Sequence, residues 1–233
     1  MVCLSLASAL SAQNANPPAA LTSAQVVQEM QEHNLVRTDG LRHYKATRHY
    51  QVDYKGFGTG FGAKMEVEVS YDAPSAKTFR IVSQSGSGLL IDKVLKRLLE
   101  TEKEAAQHQG ATALTPANYT FKLDGLESVA GRPAYMLTVE PVVENKLLYR
   151  GRIWVDAADF AVVKIDAQPA KNPSFWITRT DVRHTYSKTG EFWLPQQNRS
   201  ESKVRVGGTA VLTIDYGTYA IEPEGTAVAA GTR

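Results

Sequence analysis

The chain has 233 residues, of which 43 % are hydrophobic and 21 % charged, with a formal net charge of +2. That balance describes a folded chain, not a disordered one, and gives no electrostatic reason to propose a nucleic-acid binder. One cysteine excludes a disulfide framework and a thiolate zinc site, and no apolar run reaches the ~20 residues of a membrane-spanning helix.

Residues 1–12 are uncharged and apolar, ending in small residues at Ala9 and Ala12 before Gln13, which resembles the apolar core and cleavage site of an export signal. A basic leader is missing, so the coding start is expected upstream of Met1. A plain tail or a short amphipathic helix is the alternative. Cys3 lies at the front of the apolar stretch, whereas a lipidated cysteine should follow one, so lipidation is not expected. Asn14 to Ala20, with Pro17 and Pro18, reads as a tether, which makes residues 1–20 an export-signal remnant and linker.

Thr22 and Gln25 have capping-box spacing, and Leu21 with Val26 suits a hydrophobic staple, so a helix is expected from Thr22 to about Val36. Val26, Val27 and Met30 form its stripe, which Leu35 extends. From Leu41 the period becomes two. Tyr44, Ala46, Arg48, Tyr50, Val52 and Tyr54 share one face of a strand; Met65, Val67, Val69 and Tyr71 share one face of the next. The Gly56–Gly62 run between them leads into an alternating strand and not into a helix, so it reads as a hairpin and not as a phosphate loop.

A third strand, from about Lys77 to Gln84, puts Phe79 and Ile81 together. A second helix follows, to about Gln107, with Ser87 as N-cap and Ile91, Val94, Leu95 and Leu98 on one side, widened by Leu90 and Leu99. Its charges run against the helix dipole: Lys93, Lys96 and Arg97 come first, Glu100, Glu102 and Glu104 later. Such a helix depends on docking its apolar face. It either covers the core permanently or, entered through Gly86 and Gly88, moves as a lid. After Pro116 alternating segments continue to Ile221, with turns at 130–133, 156–159, 188–190 and 207–208, indicating an antiparallel meander of about ten strands. Residues 21–223 form one domain and 224–233 a frayed tail.

No catalytic constellation emerges. His33, His43, His49, His108 and His184 show no metal-ligand spacing, and His43 and His49 read as solvent-facing. Gly86-Ser87-Gly88 lacks the context of a nucleophile elbow, and Glu66 and Glu68 fit the polar face of a half-buried sheet. Lys45, Tyr44, Arg48 and Tyr50 interleave aromatic and basic groups as a stacking platform would, but without a basic balance. The Asn118 and Asn198 sequons carry meaning only in a glycosylating host. A sheet of this size curls, and small residues at Ala46, Gly151, Ala161 and Ala210 suit either a greasy pocket or close helix packing.

The segments R-I-W-V-D (152–156), V-V-K-I-D (162–166), N-P-S-F-W (172–176), F-W-L-P (192–195) and T-A-V-L-T-I-D-Y (209–216) resemble the LolA-like outer-membrane lipoprotein-sorting family. The order of elements over 21–221 agrees. The resemblance implies a mainly β (α+β) fold, an incomplete, strongly curved antiparallel β-barrel with an N-terminal helix and a covering lid helix. It implies a periplasmic, non-catalytic carrier of lipid or acylated lipoprotein cargo, working as a monomer with a membrane-bound donor or acceptor complex. It implies no cofactor, metal or nucleic acid. A lipid-sensing regulatory module with the same fold is the alternative, and an enzyme with an unrecognised site is a third. The expected pocket wall is Tyr44, Arg48, Tyr50, Val52, Val67, Val69, Phe79 and Ile81, faced by Leu90, Ile91, Val94 and Leu98 from the helix; ordinary core packing is the competing reading for each. The family's lid-latching Arg-Pro pair is absent, since Ala73 precedes Pro74. Arg48 either substitutes as the polar anchor or snorkels to the rim, and the rim is the favoured reading.

Overall fold

The computed structural model describes residues 21–222 except 57, 75, 108 and 173. The segments read as an export signal with its linker and as a frayed tail, with Cys3, lie outside the described residues. Helix α1 (Ser23–Gly40) opens with the expected capping box: Gln25 Oε1 accepts from the Thr22 amide at 2.8 Å and Thr22 Oγ1 accepts from the Gln25 amide at 3.3 Å. It runs one turn beyond Val36. The reason lies in Arg37, which donates to the backbone carbonyls of Asp159 and Phe160 at 2.8 and 3.1 Å and ties the last turn to the sheet. Leu35 does not extend the buried stripe; it is exposed, and the stripe ends at Met30.

Ten strands follow: β1 (His43–Gly56), β2 (Thr59–Asp72), β3 (Ala76–Gly86), β4 (Tyr119–Val129), β5 (Arg132–Pro141), β6 (Tyr149–Asp156), β7 (Val162–Pro169), β8 (Ile177–Thr189), β9 (Phe192–Val204) and β10 (Thr209–Glu222). They form one antiparallel sheet in the order β3-β2-β1-β10-β9-β8-β7-β6-β5-β4. The last strand therefore lies beside the first, and the sheet is an incomplete barrel with β3 and β4 as its edges. The chain between those two edges is the helical insertion, α2 (Gly88–Leu90), a π-helical turn (Ile91–Leu95), α3 (Lys96–Gln107) and α4 (Gln109–Thr112).

Strand registry defines the inner face. Met65, Tyr50, Ile214, Asn198, His184, Ile165, Ile153, Leu137 and Leu123 pair in succession across nine strands. Side chains opposite one another project to the same side, so this row crosses one face. Its two ends are apolar and each is covered by a helix. Val26, Val27 and Met30 of α1 pack over Tyr119, Leu137, Val139, Ile153 and Val155. The insertion packs over β1, β2 and β10. Between them the row carries Asn198 and His184. Burial pushes the His184 imidazole down to about 4, so it is neutral at physiological pH.

Gly151, small enough to suit either a pocket or close helix packing, has a backbone reason to be glycine. Its φ is +148°, and a Cβ there would lie 2.5 Å from the Asp166 carbonyl oxygen and 2.6 Å from Ala167 Cα. The close approach of β6 and β7 requires glycine at this position.

Candidate functional site

Gly86 ends β3 with φ +94°, and a Cβ there would collide with the Gly62 carbonyl oxygen. The Ser87 amide then donates to that same carbonyl at 2.8 Å. Ser87 stands at the N-cap position, but its hydroxyl makes no capping bond, unlike the sequence expectation. Gly88 has open space around its Cβ position, so only Gly86 is demanded by packing.

The expected uniform helix is interrupted by the π turn at Ile91–Leu95. The buried positions of the insertion are Leu90, Ile91, Leu95 and Leu99. Val94 and Leu98 are only partly buried. Three positions beyond Leu99, on the same side of α3, stands Glu102.

This stripe fills the face expected to be a pocket. Leu90, Ile91, Leu95 and Leu99 join Tyr50, Val52, Val67 and Val69 in one cluster with Met65 and Ile214, and Phe79 packs against its margin. Leu95 and Val67 are 0 % exposed. Tyr44 belongs to a neighbouring cluster, stacked on Tyr71 at 5.1 Å and edge-on to Tyr219 at 5.4 Å. Ile81 is 39 % exposed, because β3 is an edge strand with nothing beyond it.

Arg48 does not snorkel to the rim. It is 2 % exposed and ties the insertion to the sheet: its Nη1 donates to both carboxylate oxygens of Glu102, at 2.9 and 2.8 Å. Lys77 Nζ of β3 donates to Glu102 Oε1 at 3.1 Å. Tyr50 Oη lies 3.4 Å from Arg48 Nη1, and the guanidinium sits 4.7 Å from the centre of the Tyr216 ring. Burial pushes the Glu102 carboxyl up, but Arg48 and Lys77 outweigh it and hold the group below its ordinary value. Burial likewise raises the Tyr50 and Tyr216 phenols, which stay neutral. The site therefore contains a cation on the sheet, an anion on the insertion and a second cation on the edge strand.

Sequence reasoning missed Glu102, Lys77 and Tyr216. Only Glu102 left a trace, in the charge order that opposes the helix dipole. Its position is explained by the partner it meets and not by its own helix.

A cleft of about 310 Å³ opens between β3 and α3, lined by Lys77, Thr78, Phe79, Leu99, Glu100 and Lys103. Among the described residues no cluster of three His, Cys, Asp or Glu is placed to hold a metal ion, and no helix is long and apolar enough to cross a membrane.

The sequence profile of the MucB/RseB N-terminal domain matches residues 63–172, which include the end of the inner wall, the whole insertion and β4 to β7. Among solved structures, a DUF1329 family protein from Desulfovibrio piger shares 14 % identity, covering 86 % of this chain and 93 % of its own, with a TM-score of 0.43. A LolA superfamily protein from Nitrosomonas europaea shares 12 %, covering 87 % and 94 %, with a TM-score of 0.38. A domain described as an outer membrane lipoprotein-sorting protein, from Vibrio parahaemolyticus, shares 10 %, covering 84 % and 92 %, with a TM-score of 0.41. Over residues 63–172 the chain is thus similar to the MucB/RseB N-terminal domain. No curated protein matches it.

Proposed function

We propose that this chain is a periplasmic lipid carrier, which takes the acyl chains of a lipid or lipoprotein onto the inner face now covered by the insertion, and does so without catalysis. The observation that supports this most strongly is the nature of that cover. The inner face of β1, β2 and β10 is packed by an amphipathic insertion that joins the two sheet edges and is held by the ion cluster Arg48–Glu102–Lys77. An acyl chain gains ~0.8 kcal/mol for each methylene it buries, and the face that accommodates Leu90, Ile91, Leu95 and Leu99 offers the same environment to it. Lid and cargo compete for one surface, so the empty carrier shuts itself and cargo can be released. A membrane-bound donor and acceptor would complete the route.

The second reading is a lipid-sensing regulatory module with the same fold. A fluorescent fatty acid and labelled acceptor vesicles separate the two. A carrier binds the fatty acid and delivers it to vesicles; a sensor binds it and retains it. Absence of binding contradicts both.

A further inference from the structure

Arg48 lies on the apolar face of β1, and the charge that balances it belongs to the lid and not to the sheet. A lid that lifts carries the Glu102 carboxylate away and leaves a guanidinium facing an apolar surface. A desolvated cation that loses its counter-ion is strongly destabilising, so the open state requires a replacement anion.

Two further features point to the incoming cargo as its source. First, one nitrogen of Arg48, Nη1, takes both oxygens of Glu102, while Nε is buried with no hydrogen-bond partner among the described residues. A guanidinium is best satisfied by two parallel N–H bonds to two oxygens, an arrangement that Glu102 does not provide. Second, the cleft between β3 and α3 sets apolar Phe79 and Leu99 beside two cations, Lys77 and Lys103, and one carboxylate, Glu100, with Lys77 already on Glu102.

We infer that the cargo carries an oxyanion, a carboxylate or phosphate, at the head of its acyl chains, and that this group replaces Glu102 on Arg48, with Lys77 as its second partner. In the closed state Glu102 stands where the cargo head group binds. Neutral lipids with the same chains are poor cargo, because they open the lid without restoring a charge to Arg48. This inference rests on the carrier reading and names its substrate class.

The test is displacement of the neutral probe N-phenyl-1-naphthylamine from the full chain at pH 7.5. The competitors are palmitate against hexadecanol, and dioleoyl phosphatidate against dioleoylglycerol, with inorganic phosphate alone as a further arm. The anionic member of each pair is expected to bind at least tenfold more tightly, and inorganic phosphate to displace nothing. The anionic-to-neutral ratio, read within each variant, should fall below threefold in Arg48→Gln and narrow in Lys77→Gln; in Glu102→Gln, where the internal competitor is gone, both members of a pair should bind more tightly and the ratio stay as in the unaltered chain. Should Arg48→Gln not fold, the Lys77 and Glu102 variants decide the matter. Equal affinities within a pair, or a ratio unchanged in Arg48→Gln and Lys77→Gln, overturn the inference and leave the carrier reading standing. Displacement by inorganic phosphate alone overturns the lipid assignment. Failure of every lipid to bind overturns the carrier reading itself.

Discussion

Arg48 and Glu102, fifty-four positions apart in the chain, meet where the insertion crosses β1, with guanidinium and carboxylate 2.8 Å apart. The two partners are not equivalent. Arg48 is enclosed, whereas the Glu102 side chain keeps 26 % of its exposure and a second cation in Lys77. Removing the anion thus strands a buried charge, and removing the cation does not. Glu102→Gln is expected to weaken lid docking by about 2–4 kcal/mol, and Arg48→Met by less than about 2 kcal/mol. Urea denaturation of both variants and of the double variant checks the order; a larger loss in Arg48→Met contradicts it.

The two apolar halves of the inner face make separable contributions. Leu95 and Leu137 are both fully buried, the first in the lid and the second under α1. Truncating either to alanine should cost about 2–5 kcal/mol. Leu95→Ala should also raise lipid affinity, since a weaker lid competes less, whereas Leu137→Ala should leave it unchanged. Affinity rising equally in both would contradict the assignment of one half to cargo.

Two titrations act in different pH windows. The folded-state value of His184 is about 4 against 6.5 for the free group, so the unfolded chain binds more protons between these values. Stability should be undiminished above pH 6.5, fall as pH drops towards 4, and level off below. Glu102 is held below its ordinary value, so the latch is fully formed above about 4.5 and is lost only as pH falls through the lowered value. Chemical denaturation of the protein and of His184→Gln should differ in slope between pH 6.5 and 4 and run parallel above it.

Gly151→Ala tests the backbone account of β6 and β7. With φ +148° and the Asp166 carbonyl 2.5 Å from the added Cβ, the substitution should cost about 2–4 kcal/mol. A neutral result in thermal denaturation would return Gly151 to the pocket or close-packing roles suggested by its size.

The alternation in 44–54 and 65–71 made the inner face of β1 and β2 legible, because period-two burial is a local property of the chain. The capping box at Thr22 and Gln25 was legible for the same reason. The partners of Arg48 were not. That Tyr216 lies opposite it depends on β10 returning to pair with β1, and that Glu102 lies above it depends on the π turn at Ile91–Leu95 setting the rotation of α3. Exposure of Ile81 was hidden likewise, since nothing local marks β3 as an edge.

The central claim is that lid and lipid occupy one surface in turn. Hydrogen exchange of the full chain with and without palmitate addresses it most directly, because amide protection reports local opening. Amides of 90–104 should lose protection when lipid is bound, while those of β5 and β6 under α1 keep theirs. Lid protection that stays the same or rises with lipid bound would contradict the account.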